Sequence, residues 1–421
     1  MRDWLGTFIG KSVRLGLVFR RGGGQALPGL VVERLLPGYV PSLLAKLPEG
    51  VVIITGTNGK TTTTKMVVEI LRANGKRVLT NSTGSNLVRG IASSLARNAS
   101  WRGNLDFDIA VLEVDEATAR LLSQAVHPRW AAALNVSRDQ LDRFGEVDTI
   151  ARYISDTLKQ ATEGVVVNAG DPLLSATAGV LAKSLAVVYF SAGSKLAKYF
   201  PSDFELGAVK RSAKTKTSAK AEVELADFDG QTVKFRIGGR LYQAELKTSG
   251  QHNYLNGAAA LALCRHLLPD VPAENLVSQL AEVPLAFGRG ERYRLAGGEV
   301  ELVLVKNPAS FTQALASYGS AGGRFMIAIN DNIADGRDVS WLWDVNFQPL
   351  GRRKVDITSG TRAADMALRL SYDGTVVGAV EPNLAAAVRL FSAEPGRKII
   401  LATYTAMLSL YQLLNKQGEK I

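Results

Sequence analysis

Val51-Val52-Ile53-Ile54-Thr55-Gly56-Thr57-Asn58-Gly59-Lys60-Thr61-Thr62 is an apolar run that breaks into a glycine-bearing loop. The run Val51–Thr55 reads as a buried strand, and the amphipathic stretch Thr61–Ala73, closed by Asn74-Gly75, reads as a helix. Glycines between a strand and a helix let the backbone turn sharply and present its N–H groups to phosphate oxygens. The helix N-terminus adds the positive end of its dipole. Lys60 is then placed to reach outer phosphates, and the Thr61 hydroxyl to ligate Mg²⁺. Two residues separate the glycines, against the usual four, so this is a short form of the P-loop. A nucleotide site is predicted at Gly56, Thr57, Asn58, Gly59, Lys60, Thr61 and Thr62.

Around the loop, Asp108–Val114, Ala131–Val136, Gly164–Val167 and Ala186–Phe190 read as further buried strands separated by helical stretches. That alternation predicts an α/β fold with a mostly parallel sheet covered on both faces. Glu113, Asp115 and Glu116 close one strand at the carboxyl edge, where such sheets place ligands. Either one of them binds the metal of a Mg-nucleotide or all three are solvated acids opening a helix. Ala221–Leu246 alternates as an antiparallel β-meander, and a long helix starts near Asn253. After Phe287-Gly288-Arg289 a second α/β rhythm begins, with strands at Val300–Val305, Phe325–Ile329, Lys354–Thr358, Thr375–Val380 and Lys398–Ala402. The expected division is a basic helical segment (1–45), a central ATP-binding domain (46–287) and a smaller C-terminal α/β domain (288–421).

Composition narrows the partners. The 421 residues are 46% hydrophobic and 21% charged, which excludes wholesale disorder. A formal charge of +11 favours an anionic partner. Lys210, Arg211, Lys214, Lys216 and Lys220 lack the interleaved aromatics of a nucleic-acid site, so a solvated basic loop and no nucleic acid are expected. The single cysteine, Cys264, excludes an internal disulfide framework, and its apolar helical run makes it a buried thiol. No stretch reaches the roughly 18 apolar residues of a spanning helix, and the start lacks a signal-peptide core, so a cytoplasmic protein is expected. That start reads as a basic amphipathic helix carrying Trp4, Leu5, Phe8, Ile9 and Val13. It either packs on the first domain or makes peripheral contact with an anionic inner leaflet.

Three further motifs follow the P-loop: Asn168-Ala169-Gly170-Asp171-Pro172, Gly250-Gln251-His252-Asn253-Tyr254-Leu255-Asn256 and Phe287-Gly288-Arg289. In this order, over roughly Val51 to Arg289, they resemble the Mur ligase family, which includes folylpolyglutamate synthases and joins an amine to a carboxylate with ATP. The resemblance implies Asn256 against adenine, Arg289 holding the nucleotide, and Glu113 coordinating Mg²⁺ beside Thr61. Where such ligases carry Asp-His-Leu-Asp and then His-Gly, this chain has Arg138-Asp139-Gln140-Leu141-Asp142-Arg143-Phe144-Gly145-Glu146.

That departure resembles the MurT family, the ligase subunits of lipid II isoglutaminyl synthases. So do Lys306-Asn307-Pro308-Ala309, Asp335-Gly336-Arg337-Asp338-Val339-Ser340-Trp341-Leu342-Trp343-Asp344 and Thr358-Ser359-Gly360-Thr361-Arg362. The likeness spans nearly the whole chain. It implies Asn307 in the ATP site and amidation of the D-glutamate α-carboxyl of lipid II to D-isoglutamine. Nitrogen would come from glutamine hydrolysed by a GatD-type class-I glutamine amidotransferase in a heterodimer. Consistent with a split enzyme, Cys264 has no histidine placed to activate it. Asp338, on the resemblance, completes the partner's Cys–His pair across the interface. The residues alone leave Asp335 as a turn former, Asp344 as a helix cap, and Trp341 and Trp343 as partner anchors or core. Many MurT proteins insert a four-cysteine zinc ribbon near 210–220; no cysteine stands there, so no zinc is expected. The alternatives are a free-standing Mur-type amino-acid ligase and a P-loop protein of another class.

Overall fold

The computed structural model describes residues 2–19, 27–81, 87–137, 147–200, 220–247, 250–284, 289–295, 297–318, 322–350 and 354–421. The 138–146 string, Phe287-Gly288 and nearly all of the basic 210–220 loop lie outside the described residues.

The first sheet is built from β1 (Val51–Thr55), β2 (Val78–Leu79), β3 (Ile109–Glu113), β4 (Trp130–Ala133), β5 (Gly164–Asn168), β6 (Ala186–Ala192), β7 (Val223–Asp229), β8 (Thr232–Ile237) and β9 (Arg240–Glu245). Their order is β2-β3-β1-β4-β5-β6-β7-β8-β9. Pairing is parallel as far as β7 and antiparallel beyond it. The expected meander thus extends the central sheet rather than standing apart from it. β1 is buried along its whole length between β3 and β4, where the strand order reverses. Ligands of open α/β sheets bind at such a switch point, at the carboxyl ends of the strands. The helix Gln251–Leu267 (Gly-Ala-Ala-Ala-Leu-Ala-Leu-Cys at its centre) is buried nearly all round, because its small side chains allow close approach to neighbours.

The second sheet comprises β10 (Arg289–Leu295), β11 (Gly298–Leu304), β12 (Arg324–Ala328), β13 (Val355–Ser359), β14 (Val377–Glu381), β15 (Lys398–Ala402) and β16 (Glu419–Lys420). The order is β14-β13-β12-β15-β11-β10-β16, parallel except at β10 and β16. Two apolar clusters fill its two faces.

Three readings need correction. β4 stops at Ala133 rather than Val136, because the next residues leave the ladder to bind the P-loop. β10 was not foreseen. At the N-terminus, the helix Arg2–Phe19 does pack on the first domain, but through Gly6, Thr7 and Gly10, while Trp4, Leu5, Phe8 and Leu15 face solvent. A Cβ on Gly6 would lie 2.3 Å from the Tyr39 ring and one on Gly10 2.5 Å from Ala96 Cβ, so the small residues choose the buried side. Among the described residues no helix is long and apolar enough to cross a membrane.

Candidate functional site

The P-loop needs its two glycines for geometry. Gly56 and Gly59 have φ of 124° and 87°, which only glycine adopts cheaply. A Cβ on Gly59 would also sit 2.3 Å from Asn256 Oδ1. The loop is then held from β4's exit. Asn58 N donates to Asn135 Oδ1 (2.8 Å) and Asn135 Nδ2 donates to Asn58 O (3.0 Å). Thr57 Oγ1 donates to Ser137 O (3.2 Å) and accepts from Ser137 N (3.0 Å). Asp171 anchors the exit in turn, its Oδ2 accepting from Val136 N at 2.7 Å while Oδ1 caps the next helix through Leu173 N and Leu174 N.

Lys60 Nζ lies inside this cage. It donates to Gly56 O (2.6 Å), to Thr57 O (3.4 Å) and to Glu116 Oε1 (3.1 Å), and both side chains of the ion pair are buried. Burial pushes the Glu116 carboxyl up, but Lys60, the N–H at its own helix start and Lys306 outweigh that and hold it below the ordinary glutamate range. Glu116 therefore stabilises the folded loop above its ordinary range. That contribution is lost as the pH falls through its depressed folded value.

The three acids after β3 divide their work. Glu113 Oε1 accepts from Thr61 Oγ1 at 2.9 Å, and Asn81 fixes the Glu113 backbone through two bonds of 2.7 and 3.0 Å. Glu116 serves Lys60, and Asp115 is buried at the start of its helix. Solvated helix-opening acids are thus excluded for Asp115 and Glu116. The Thr61 hydroxyl and the Glu113 carboxylate form an all-oxygen donor pair of the kind Mg²⁺ prefers.

Beside the loop opens a cleft of about 730 Å³, counting its mouth, between Asn58–Gly59, the helix Gln251–Leu267 and residues from Val303 to Tyr318. Asn256 lines it. Its Nδ2 is buried and has no hydrogen-bond partner among the described residues, a donor available to an acceptor in the cleft. The C-terminal sheet reaches the loop directly: Asn307 Nδ2 donates to Asn58 Oδ1 (3.1 Å) and Lys306 Nζ to Thr57 O (2.9 Å). Arg289 opens β10; its side chain lies outside the described part. Of the other loop residues, Thr62 is buried in the helix start, its hydroxyl without a partner among the described residues. Asn135, Ser137 and Lys306 were not assigned to the site by sequence, and Glu116, one of the three metal candidates there, pairs with Lys60 instead. Asn135 and Ser137 follow β4 as plain loop residues, and their pairing with the P-loop bridges some eighty positions.

A second polar cluster lies at the carboxyl edge of the C-terminal sheet. Asp335 is buried, its carboxylate accepting from Thr405 N (2.8 Å), Thr405 Oγ1 (2.5 Å) and Asn332 N (3.2 Å), so it ties the loop to the helix Tyr404–Gln417. Burial raises its pKa more than those bonds lower it. The neighbouring Asp331 takes Thr361 Oγ1 (2.8 Å) and Arg362 Nε (2.9 Å). Asp338 is only half-buried; its Oδ1 accepts from Ser340 N at 2.8 Å, and the Ser340 hydroxyl together with that N–H holds its carboxyl below the ordinary range. Trp341 is half-buried against Phe311, whereas Trp343 is exposed and meets the Tyr372 ring edge-on. Asp344 is exposed at the end of the short helix Ser340–Asp344, not at its start. Cys264 is fully buried, and burial pushes its thiol up.

Two family models match the chain: the Mur ligase middle domain over residues 54–264 and the MurT ligase C-terminal domain over 304–407. A Streptococcus pneumoniae protein named lipid II isoglutaminyl synthase (glutamine-hydrolyzing) subunit MurT is 31% identical over 98% of this chain and 97% of its own length. Its Staphylococcus aureus namesake is 26% identical over 100% and 99%. In fold, MurF ligase from Thermotoga maritima, solved with ADP, superposes with a TM-score of 0.69 at 17% identity, covering 92% of this chain and 84% of that one. The likeness runs through both sheets and takes in the P-loop and the Asp335–Asp344 loop alike: the chain belongs to the MurT family of Mur ligases.

Proposed function

We propose that the chain is the ATP-dependent ligase subunit of a lipid II amidating enzyme in peptidoglycan biosynthesis. The reading rests chiefly on the full-length match to relatives named as MurT subunits. A carboxylate is a poor electrophile. The γ-phosphoryl of ATP is transferred to the D-glutamate α-carboxylate, giving an acyl phosphate and ADP. Ammonia attacks the acyl carbon, phosphate leaves with the bonding pair and takes up the proton the nitrogen releases, and D-isoglutamine forms.

The residues take these roles. The N–H groups from Gly56 to Thr62 and Lys60 receive the phosphates, Lys60 exchanging its carbonyl contacts for phosphate oxygens. Asn256 offers its Nδ2 to the adenine, with Arg289 and Asn307 holding the nucleotide. Thr61 and Glu113 would hold Mg²⁺, which neutralises phosphate charge when bound. The working units are 1–45, 46–287 and 288–421, the last contacting a GatD-type amidotransferase that releases ammonia from glutamine. There Asp338 orients the partner's histidine. The enzyme works at the cytoplasmic face on a lipid-linked acceptor, with neither zinc nor nucleic acid.

The test is to co-purify the chain with a class-I glutamine amidotransferase and supply lipid II, ATP, Mg²⁺ and glutamine. Amidated product is expected with glutamine through the partner and with ammonium salt without it. No product from either nitrogen source would overturn the reading.

A further inference from the structure

The helix Arg2–Phe19 packs Gly6, Thr7, Gly10 and part of Ile9 on the first domain and leaves its largest apolar side chains outside. Its glycine-rich side is buried, while Trp4, Phe8 and Leu15, spaced i, i+4 and i+11, form one outward stripe at 46%, 49% and 52% exposure. A separate segment joins it: Trp101, 54% exposed, sits with its ring centroid 6.0 Å from that of Phe8. Two tryptophans and a phenylalanine left in water on adjoining elements are a marked departure for a soluble surface, where isolated exposed apolar side chains are the norm.

The charge on the two segments that carry this patch is mainly positive. Lys11 stands on the same stripe, its Nζ 5.4 Å above the Trp101 ring and donating to Arg97 O at 3.2 Å. Arg14, Arg97 and Arg102 are exposed nearby along the two segments. The helix holds one acid, Asp3, and that is neutralised by Lys46 at 2.7 Å. The stretch 97–103 holds none. Aromatic rings beside a ring of cations match the boundary between headgroups and acyl chains of an anionic bilayer. There the rings reach the acyl boundary while Lys and Arg meet the lipid phosphates.

We propose that Trp4, Phe8, Leu15 and Trp101, with Lys11, Arg14, Arg97 and Arg102, form a docking face for an anionic membrane surface. The helix lies in the plane of the interface and does not cross it, as its length and composition require. This deepens the ligase reading, which supplies the reason for docking: a lipid-linked acceptor stays at that surface. The face itself is defined by exposure and charge.

The test uses the full-length chain and vesicles of phosphatidylcholine with and without phosphatidylglycerol. Wild type is expected to sediment with the anionic vesicles, to be released by salt, and to ignore the neutral ones. The triple variant Trp4→Ser, Phe8→Ser, Trp101→Ser is expected to lose about tenfold or more in partition, and Lys11→Glu with Arg14→Glu about fivefold per charge removed. Unchanged thermal unfolding of the variants serves as the control for folding, since the substituted side chains are exposed. Equal partition of wild type and triple variant would overturn the proposal. So would a wild type that ignores both vesicles but self-associates through the patch, which would identify a second copy as the occupant. Amidation of an acceptor dissolved in detergent should be untouched by the triple variant. Loss of vesicle binding with that activity intact thus separates the docking face from the ligase reading.

Discussion

The two polar centres of this chain are built on opposite plans. In the P-loop itself the polar side chains are taken up by neighbours: Lys60 by Glu116 and two carbonyls, Asn58 by Asn135 and Asn307, Thr61 by Glu113. At the C-terminal loop Asp335 is locked to Thr405, yet Asp338, three residues on, is half-exposed and held through a backbone N–H. The first centre is held together by bonds within the chain. The second leaves one carboxylate half-exposed beside a buried, hydrogen-bonded one, and the proposed partner would meet it there.

The largest effect should fall on that outward carboxylate. Asp338→Asn is expected to cut glutamine-driven amidation by about ten-thousandfold while ammonium-driven amidation persists, as when a triad loses its orienting acid. Equal loss with both nitrogen sources would place Asp338 in the ligase site and erase the contrast. Lys60→Ala should reduce both reactions by about a hundred- to a thousandfold. It should also destabilise the chain by about 3–5 kcal/mol, because Glu116 is left buried without its cation. In urea melts the double change Lys60→Met with Glu116→Gln should recover most of that stability and none of the activity. Recovery of activity would mean that Lys60 acts only as a structural cation.

Smaller effects separate the two centres further. Asn256→Ala should weaken nucleotide binding by about tenfold, measured by titration calorimetry, and leave the melting temperature nearly unchanged, because its Nδ2 serves no protein acceptor among the described residues. Acidification should act on the two centres with opposite sign. Glu116, held below its ordinary range, loses its stabilising charge as the pH falls through its folded value. Asp335, raised above its ordinary range, carries a charge that burial disfavours, so its region gains as the pH falls through its folded value. Amide exchange should therefore show the loop Gly56–Lys60 opening before the Asn332–Asp335 turn. The reverse order would mean that Glu116 is not what holds the loop.

Much of this was legible in the sequence where chemistry is local. β1 and the P-loop are contiguous, and Gly56 and Gly59 are demanded by the turn itself. β10 was hidden because Arg289, Glu291, Arg292 and Arg294 make it read as a charged loop. It forms because β11 and β16 flank it and because Glu291, though buried, is bonded to Tyr293 and Lys420. The contacts of Asn135 and Lys306 with the loop were not legible because they bridge 77 and 249 positions. The orientation of the first helix escaped for a different reason. Periodicity reveals an apolar stripe but not which side the protein covers, and here Gly6 and Gly10 decided that.

The burial of Cys264 has a practical consequence for chemical labelling. Its thiol is sealed inside the helix Gln251–Leu267 and raised in pKa, so thiolate-selective alkylators have nothing to attack on the native chain. In an enzyme reconstituted with the proposed amidotransferase, iodoacetamide would then spare this chain. The ligase half could be assayed with ammonium salt in the same tube, with no cysteine substitution needed.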